Sequence, residues 1–314
     1  MSLNENLILD SSKAFSYYPD KASVDHWVEN IIKRLNSTQV TAQFLDFNPV
    51  KEPFGNNPNT LINKYIQFTS NEGHSFWGYW QPAHKSPSPL LINLPGYGGC
   101  ISNHPQINDD GYHILHIAPL GYVTPTSIND HLFLDSGKWP VLHNTAMGLA
   151  GGYEDWLLDC LLALSWAEKL PEVNPTRISL FGTSQGGGTA LLLTSILPDK
   201  FKCVCADLPF LTGFPLTNLQ GDAYNILQES YSLLEENVFW KNLGYIDTLS
   251  HAHRIKIPTM LSSGGMDTVC PSSTIEELFK RLNCTKQYTY LSQGVHTHSR
   301  ESMFLFRSWL ALFA

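Results

Sequence analysis

A serine between glycines is the residue of this sequence whose surroundings most clearly indicate chemistry. Ser184 stands in Gly182-Thr183-Ser184-Gln185-Gly186, after an apolar run that ends at Phe181 and before another that starts at Ala190. A Gly-x-Ser-x-Gly sequence between a strand and a helix predicts a sharp turn that lifts the serine hydroxyl off the sheet edge. The backbone N–H of Gln185 would then point to where an oxyanion forms in acyl transfer. We expect a nucleophile at Ser184; the alternative is a glycine-rich turn that only leads into a tightly packed helix.

A serine nucleophile needs a carboxylate and a base, and candidates for both follow it in the order Ser, Asp, His. Asp267 comes just after an apolar run over 257–262, and we expect it to orient the base. A turn or helix-capping aspartate is the alternative. His296 and His298 follow the next apolar run, and Gly294 favours His296 as the base over His298.

The same two histidines could be interpreted as metal ligands. No carboxylate or cysteine cluster stands near them in the sequence to complete a coordination shell, so we predict neither a metal nor an organic cofactor. A second oxyanion donor is expected from the N–H of Tyr97, in the glycine-rich segment 95–99. A flexible surface turn is the alternative for that segment.

These residues must be positioned by strands and helices that alternate along the chain. Helical spacing predicts helices at 153–169, 185–197, 272–282 and 299–312, and an antiparallel hairpin is predicted from 65–68 and 75–80. Short apolar runs predict buried strands at 90–94, 113–118, 177–181, 203–207, 257–262 and 288–291. Such alternation predicts an α/β fold with a mostly parallel sheet covered on both faces.

Three segments do not follow this alternation within the single domain that we predict over 1–314. Residues 1–60 are interpreted as an N-terminal extension with an amphipathic helix at 22–35. The segments 119–150 and 209–250 are long and rich in aromatic residues, which is typical of functional loops or caps. We predict a cap insertion at 209–250 and substrate-pocket walls from Pro209, Phe210 and Trp139.

Composition narrows the class of protein. With 20 Lys+Arg against 28 Asp+Glu, the formal net charge is −8, which argues against binding to nucleic acid. No apolar run is long enough to cross a membrane. The six cysteines form no CxxC pair and are expected to be reduced thiols in a cytoplasmic protein. His251 and His253 are expected at the surface.

Several stretches in order resemble the α/β-hydrolase superfamily and, within it, the acetyl xylan esterase / cephalosporin C deacetylase family (carbohydrate esterase family seven). They are Pro-Gly-Tyr-Gly-Gly at 95–99, Asn-Pro-Thr-Arg-Ile at 174–178, Gly-Thr-Ser-Gln-Gly-Gly-Gly at 182–188, Ala-Asp-Leu-Pro-Phe-Leu at 206–211 and Asp-Thr-Val-Cys-Pro-Ser-Ser-Thr at 267–274. The resemblance spans roughly 60–312 and implies an α/β-hydrolase fold. It implies the same catalytic roles for Ser184, Asp267 and His296, and an oxyanion site at Tyr97 and Gln185.

The resemblance also implies an activity, namely hydrolysis of short acyl esters such as acetyl groups on a carbohydrate or another small alcohol. A homo-oligomer is a further implication. The family usually has Arg-Gly-Gln after its second parallel strand, where this chain has Ile-Ala-Pro-Leu-Gly-Tyr at 117–122. The ester chemistry is therefore carried over, but the xylan or cephalosporin substrate and the family's hexamer are not. A peptidase, a thioesterase, an acyltransferase and a non-catalytic binding protein on the same scaffold remain the alternatives.

Overall fold

One sheet organises the part of the chain that the computed structural model describes, which is 10–45, 64–97, 104–121 and 140–314. Its strand order is β1-β2-β3-β5-β4-β6-β7-β8-β9. The strands are β1 Val40–Leu45, β2 Lys64–Ser70, β3 Ser75–Gln81, β4 Ser88–Leu94, β5 His113–Ala118, β6 Val173–Thr183, β7 Val204–Asp207, β8 Thr259–Gly264 and β9 Lys286–Leu291.

The sheet has a parallel part and an antiparallel part. Strands β4 to β9 pair in parallel, whereas β1, β2 and β3 form an antiparallel meander joined to the edge of β5. The carboxyl ends of parallel strands lie at one edge of the sheet, and ligands bind at that edge in open α/β sheets. The segments that follow β4, β6, β7, β8 and β9 therefore begin close to one another.

Helices cover both faces of the sheet. They are α1 Ser11–Ser16, α2 Lys21–Ser37, α3 Pro105–Asp109, α4 Val141–Met147, α5 Tyr153–Ala167, α6 Gln185–Ile196, α7 Gln228–Leu233, α8 Glu236–Gly244, α9 Thr248–His251, α10 Ser272–Arg281 and α11 Arg300–Phe313. Successive strand residues point to opposite faces. Leu90 and Ile92 accordingly pack in the larger core with α5 and α6, while Leu91 packs in the smaller core with α3 and α11.

The predicted α/β fold is confirmed, and the predicted strands and helices lie within a few residues of the observed ones. The strand predicted at 288–291 is not buried, because it belongs to β9 at the edge of the sheet, where every side chain is at least partly exposed. The amphipathic helix expected at 22–35 is α2, and the expected hairpin is formed by β2 and β3. Strand β1 was not predicted, because none of its side chains is fully buried and its sequence lacks a continuous apolar run. None of the described helices is long and apolar enough to span a bilayer.

The segment 209–250 is helical and adds its aromatic side chains to the larger core. It contains α7, α8 and the start of α9, and its aromatic side chains Phe214, Tyr224, Phe239 and Trp240 are fully buried. Part of the N-terminal region packs against it, since the Tyr18 hydroxyl donates a 2.8 Å hydrogen bond to Asp247 Oδ2.

The expectation that His251 lies at the surface is wrong. Its side chain is fully buried, with Nε2 2.8 Å from the Tyr245 carbonyl oxygen and Nδ1 2.8 Å from Ser195 Oγ. Burial lowers the pKa of His251 to about 4, so the ring is a neutral part of the core. His253 is only partly exposed and contacts Asp25.

Candidate active site

The turn between β6 and α6 holds Ser184 in an unusual backbone conformation. Its φ is 57° and its ψ is −120°, a region that residues with a side chain seldom occupy. Neighbouring backbone groups keep it there: Ser184 N–H donates to the Asp207 carbonyl oxygen at 2.9 Å, and the Ser184 carbonyl oxygen accepts from Phe210 N–H at 2.9 Å. The strain raises the hydroxyl at the carboxyl edge of the sheet.

Two glycines allow α6 to approach the sheet closely enough to form this turn. A Cβ atom on Gly186 would lie 2.2 Å from the carbonyl oxygen of Leu94, and one on Gly182 would lie 2.3 Å from the backbone of Gly186. No other residue type fits at either position without moving the backbone. The helix that begins at Gln185 is also buried along its whole length. The turn is therefore both a tight packing element and a strained serine turn, and the two interpretations of the sequence are compatible.

Asp267 and His296 are brought together by the loops after β8 and β9. His296 Nδ1 lies 2.8 Å from Asp267 Oδ2, and the carboxylate is fully buried while the imidazole is one-fifth exposed. The other carboxylate oxygen, Oδ1, accepts hydrogen bonds from the N–H groups of Val269 and Cys270, each at 2.8 Å. Asp267 thus organises its own turn and also contacts the histidine.

A cavity of about 560 Å³ connects the residues that the sequence singled out. Ser184, His296, Tyr97 and Phe210 all line it. Pro209 is buried next to α6 and is not among the described lining residues. Trp139, Gly98 and Gly99 lie outside the described residues.

Part of the cavity wall comes from residues that the sequence did not indicate. They are Asp222, Ala223 and Ile226, from the turn before α7, and Val269, from the loop after β8. In the sequence, only the length of the 209–250 segment indicated that it would reach the site. Its individual lining residues could not be predicted, because a single small or aliphatic residue has no pattern that marks it as part of a cavity wall. No lysine or arginine is among the described lining residues.

The oxyanion candidates sit at the two positions from which such a site would be built. Gln185 is the first residue of α6, and its N–H has no acceptor in the described part of the chain. The positive end of the helix dipole adds to the attraction for an anion there. Tyr97 lies just beyond β4, at the opposite side of the Ser184 turn, and is partly exposed to the cavity.

A buried thiol lies beside the serine hydroxyl. Burial raises the pKa of Cys270 well above its usual value and the charge of Asp267 adds to the effect, while a hydrogen bond with Ser184 opposes it. Cys270 is therefore a neutral thiol that packs against Ser184. Within the described residues, Ser184 Oγ is hydrogen-bonded to neither histidine; such bonds commonly tighten only when substrate binds.

His298 does not share the carboxylate of His296. Its Nδ1 lies 2.6 Å from Asp207 Oδ2, at the end of β7. The two rings therefore belong to two separate carboxylates. The described residues contain no group of three His, Cys, Asp or Glu side chains that could hold a metal ion.

Comparison with known families identifies the relatives of the chain. The sequence model described as "Acetyl xylan esterase (AXE1)" matches residues 151–308, which is half of the chain. The chain belongs to the acetyl xylan esterase family. The segment matched by that family includes Ser184, Asp267 and both His296 and His298.

Relatives of this acetyl xylan esterase family member agree in fold. An acetyl xylan esterase from Paenibacillus sp. R4 superposes with a TM-score of 0.74 at 21% identity, covering 96% of this chain and 99% of that one. Acetyl Xylan Esterase 1 from Thermoanaerobacterium sp. JW/SL YS485 gives 0.73 at 21% identity, covering 94% and 95%. The sequence is 25% identical over 155 residues to Acetyl esterase Axe7A of Xylanibacter ruminicola, covering 48% of this chain but only 34% of that protein.

Proposed function

We propose that this chain is a serine esterase that removes short acyl groups, acetyl above all, from a carbohydrate or another small alcohol. The observation that carries the proposal is that Ser184 and His296 line one cavity while His296 Nδ1 lies 2.8 Å from Asp267. Membership of the acetyl xylan esterase family supports the acetyl group as the one removed.

The proton chemistry follows from the direction of the Asp267–His296 hydrogen bond. A carboxylate only accepts, so the hydrogen is on Nδ1 and the lone pair is on Nε2. His296 Nε2 then takes the proton of Ser184 as Oγ attacks the ester carbonyl carbon. Asp267 stabilises the imidazolium that forms. The negative charge moves to the carbonyl oxygen, where the N–H groups of Tyr97 and Gln185 would each contribute about 3 kcal/mol of transition-state stabilisation.

The intermediate then collapses to products in two stages. The bond between the carbonyl carbon and the alcohol oxygen breaks, and His296 gives its proton to the departing alcohol. Ser184 keeps the acyl group. A water molecule, deprotonated by the same Nε2, attacks that ester, and the acid leaves as Ser184 recovers its proton. No step needs a metal or an organic cofactor.

The cavity supports a small, uncharged substrate. Phe210, Ala223, Ile226 and Val269 give it an apolar wall, and Asp222 is the one formally charged side chain among its described lining residues besides the histidines. An acidic side chain without a basic partner disfavours an anionic alcohol. We therefore expect neutral acetylated sugars to be better substrates than cephalosporin C. Cephalosporin C is included in the substrate panel as an anionic substrate.

Turnover of p-nitrophenyl acetate by the wild type and by Ser184→Ala tests the proposal. We expect Ser184→Ala to fall to the background rate, and Ser308→Ala, on the outer α11 helix, to stay at the wild-type rate. Equal rates for wild type and Ser184→Ala would overturn the esterase assignment.

A substrate panel separates the related activities. Acetyl, butyryl and longer p-nitrophenyl esters, acetylated xylose oligomers, cephalosporin C, an acyl thioester and a peptide amide would be compared by kcat/KM. We expect the acetyl esters of neutral alcohols to rank first. Preference for the amide or the thioester would indicate a peptidase or a thioesterase, and binding without turnover of any compound would indicate a non-catalytic scaffold.

We also propose a cytoplasmic location and a homo-oligomer. The location is supported by the five described cysteines, all free and mostly buried thiols. The oligomer is supported by the exposed apolar side chains Phe304 and Leu312 on one side of α11. Light scattering coupled to size exclusion tests the oligomer, and a Phe304→Lys variant should reduce the measured mass if that surface is the interface.

A further inference from the structure

A second imidazole–carboxylate pair lies beside the proposed catalytic pair. His298 Nδ1 is 2.6 Å from Asp207 Oδ2, and the Asp207 side chain is fully buried. The carboxylate also accepts hydrogen bonds from Ser262 Oγ, on Oδ1, and from Thr183 Oγ1 at 3.3 Å, on Oδ2. The proposed reaction assigns no role to this pair, so its connection to the site needs an explanation.

Asp207 is joined to the nucleophile through the backbone. Thr183 and Asp207 are register partners in the parallel pairing of β6 and β7, and the Asp207 carbonyl oxygen accepts the Ser184 N–H at 2.9 Å. Any group anchored on the Asp207 side chain is therefore held at a fixed place relative to Ser184. His298 is such a group.

His298 is badly placed to be the base itself. Its Nε2, the nitrogen that is not on Asp207, is buried and has no hydrogen-bond partner in the described residues. The ring lies among aromatic rings, 5.9 Å from Phe181, 5.9 Å from His104 and stacked 6.3 Å from Phe306. His298 lines the same cavity as Ser184, but its Nε2 is buried, whereas His296 is bonded to Asp267, the carboxylate expected to orient the base.

His296 and His298 stand on the same short segment, separated by the exposed Thr297. One ring is bonded to Asp267, after β8, and the other to Asp207, at the end of β7. Two anchors on alternate residues define both the position and the rotation of the segment. The backbone of the loop is held before His296, where the Gly294 carbonyl oxygen accepts from Met266 N–H at 2.9 Å, and the Asp207 bond adds a fixed point after it.

We propose that His298 is a positioning residue, which acts through Asp207 to hold the proposed base His296 in place over Ser184. This inference rests on the proposed function. Loss of the His298–Asp207 bond lets His296 sample orientations in which Nε2 does not face Ser184. The apolar wall of the cavity, which Phe210, Ala223, Ile226 and Val269 form, is unchanged, so we expect kcat to fall much more than KM changes.

Two variants of similar size and polarity test the role of Nδ1. The side-chain N–H of His298→Asn can occupy the place of Nδ1–H and donate to Asp207, whereas the longer His298→Gln places its amide nearer to Nε2. With p-nitrophenyl acetate we expect His298→Gln to lose about 10- to 100-fold in kcat, the usual consequence of a small misplacement of a catalytic group, with KM within about twofold. His298→Asn should keep kcat within about threefold.

Controls separate this inference from the proposed function. Gln293→Ala, exposed in the same loop, should match the wild type, and Ser184→Ala should be inactive. Asp207→Asn, which keeps the shape but loses the charge, should lower kcat as His298→Gln does. Circular dichroism and thermal unfolding of each variant establish that it is folded.

Two results would overturn the positioning role. Equal kcat for His298→Asn, His298→Gln and the wild type, with Ser184→Ala inactive, would show that the pair does not position His296. Recovery of His298→Gln activity by added imidazole, with none for a His296→Ala variant, would show that His298 is the base. Activity retained in Ser184→Ala would instead refute the proposed function.

Discussion

The backbone N–H of Ser184 is hydrogen-bonded to the carbonyl oxygen of Asp207, whose side chain is at the same time bonded to His298. One residue at the end of β7 thus supports the strained serine turn through its main chain and the histidine loop through its carboxylate. Because β6 and β7 are paired in parallel, the serine turn and the histidine loop are both attached to the same edge of the sheet. The precision of the site therefore depends on a residue that need never touch the substrate.

Asp267→Asn should reduce kcat for p-nitrophenyl acetate by about 10⁴-fold, because an amide no longer fixes the histidine tautomer or stabilises the imidazolium. Its Oδ1 can still accept from the N–H groups of Val269 and Cys270, so thermal unfolding should change little. Activity is measured by steady-state kinetics and stability by calorimetry. An unaltered kcat would remove Asp267 from the proposed mechanism.

Gly186→Ala should destabilise the protein by about 3 kcal/mol or more, since its Cβ would lie 2.2 Å from the Leu94 carbonyl oxygen in a fully packed turn. Gly96→Ala is the matched control, because its Cβ meets only the Thr183 carbonyl oxygen, at an ordinary 3.7 Å. Denaturant unfolding of both variants measures the difference. Equal free energies of unfolding for the two variants would mean that α6 can move away from β4 with little loss of stability.

Tyr18→Phe should lower the free energy of unfolding by about 1.5–3 kcal/mol, the usual contribution of a hydrogen bond to a charged partner. The change removes the hydroxyl that donates to buried Asp247, which also organises Gly213 and Phe214 through their N–H groups. Tyr17→Phe is the control, as the Tyr17 hydroxyl makes no hydrogen bond in the described part of the chain. Urea titration followed by tryptophan fluorescence would report both values.

Acid should destabilise the fold through its buried histidines. Burial lowers the pKa of His116 to about 3 and that of His251 to about 4, and lowers that of His104 well below its usual value. Between the unfolded pKa near 6.5 and these folded values, the unfolded chain binds the extra protons, so stability falls as pH falls.

Each of these histidines contributes a slope of about 1.4 kcal/mol per pH unit within that window. Unfolding free energies at pH 7, 6 and 5 should therefore decrease with increasing steepness. His251→Gln should show a shallower dependence than the wild type, with His26→Gln on the exposed side of α2 as the control. A wild-type stability that stays constant from pH 7 to pH 5 would contradict the neutral, buried state of these rings.

Ile226→Ala should extend the range of acyl chains that the enzyme accepts. Ile226 lines the same cavity wall as Ala223 and Val269, and removal of its side chain lengthens the space next to Ser184. We expect the ratio of kcat/KM for butyrate to that for acetate to rise by about tenfold, the usual discrimination from one or two methylene groups. An unchanged ratio would place the acyl group on the other side of the cavity.

The parts of the site that sequence indicated are those encoded by local patterns. Ser184 lies in a turn whose glycines are dictated by backbone clearance. Asp267 follows the buried strand β8, and His296 follows the edge strand β9, whose last residues are mostly aromatic and aliphatic. Their positions relative to one another follow from parallel pairing alone. The strand β1 could not be found in this way, because none of its side chains is fully buried and no continuous apolar run marks it.

The Asp207–His298 pair shows what local patterns cannot reveal. The two residues are 91 positions apart, and only the order of strands in the sheet brings them into contact. The burial of His251 was likewise hidden, because a His-x-His sequence between polar residues is typical of a surface loop. Ala223 and Ile226 could be predicted as part of the cavity wall only from the path of the 209–250 segment. That path depends on packing between the aromatic side chains of the segment.

The hydrogen bond between Tyr18 and Asp247 joins residues 229 positions apart in the chain. At a synthesis rate of about 5–20 residues per second, the ribosome takes about 10 to 50 s to reach Asp247 after it has made Tyr18. Throughout that interval the start of the described chain has no partner for this contact. Helix α2 packs against α5 and α6, which are made before Asp247, and against α9, which is made only after it. The contact between Tyr18 and the 209–250 segment can therefore form only late in the biosynthesis of the chain.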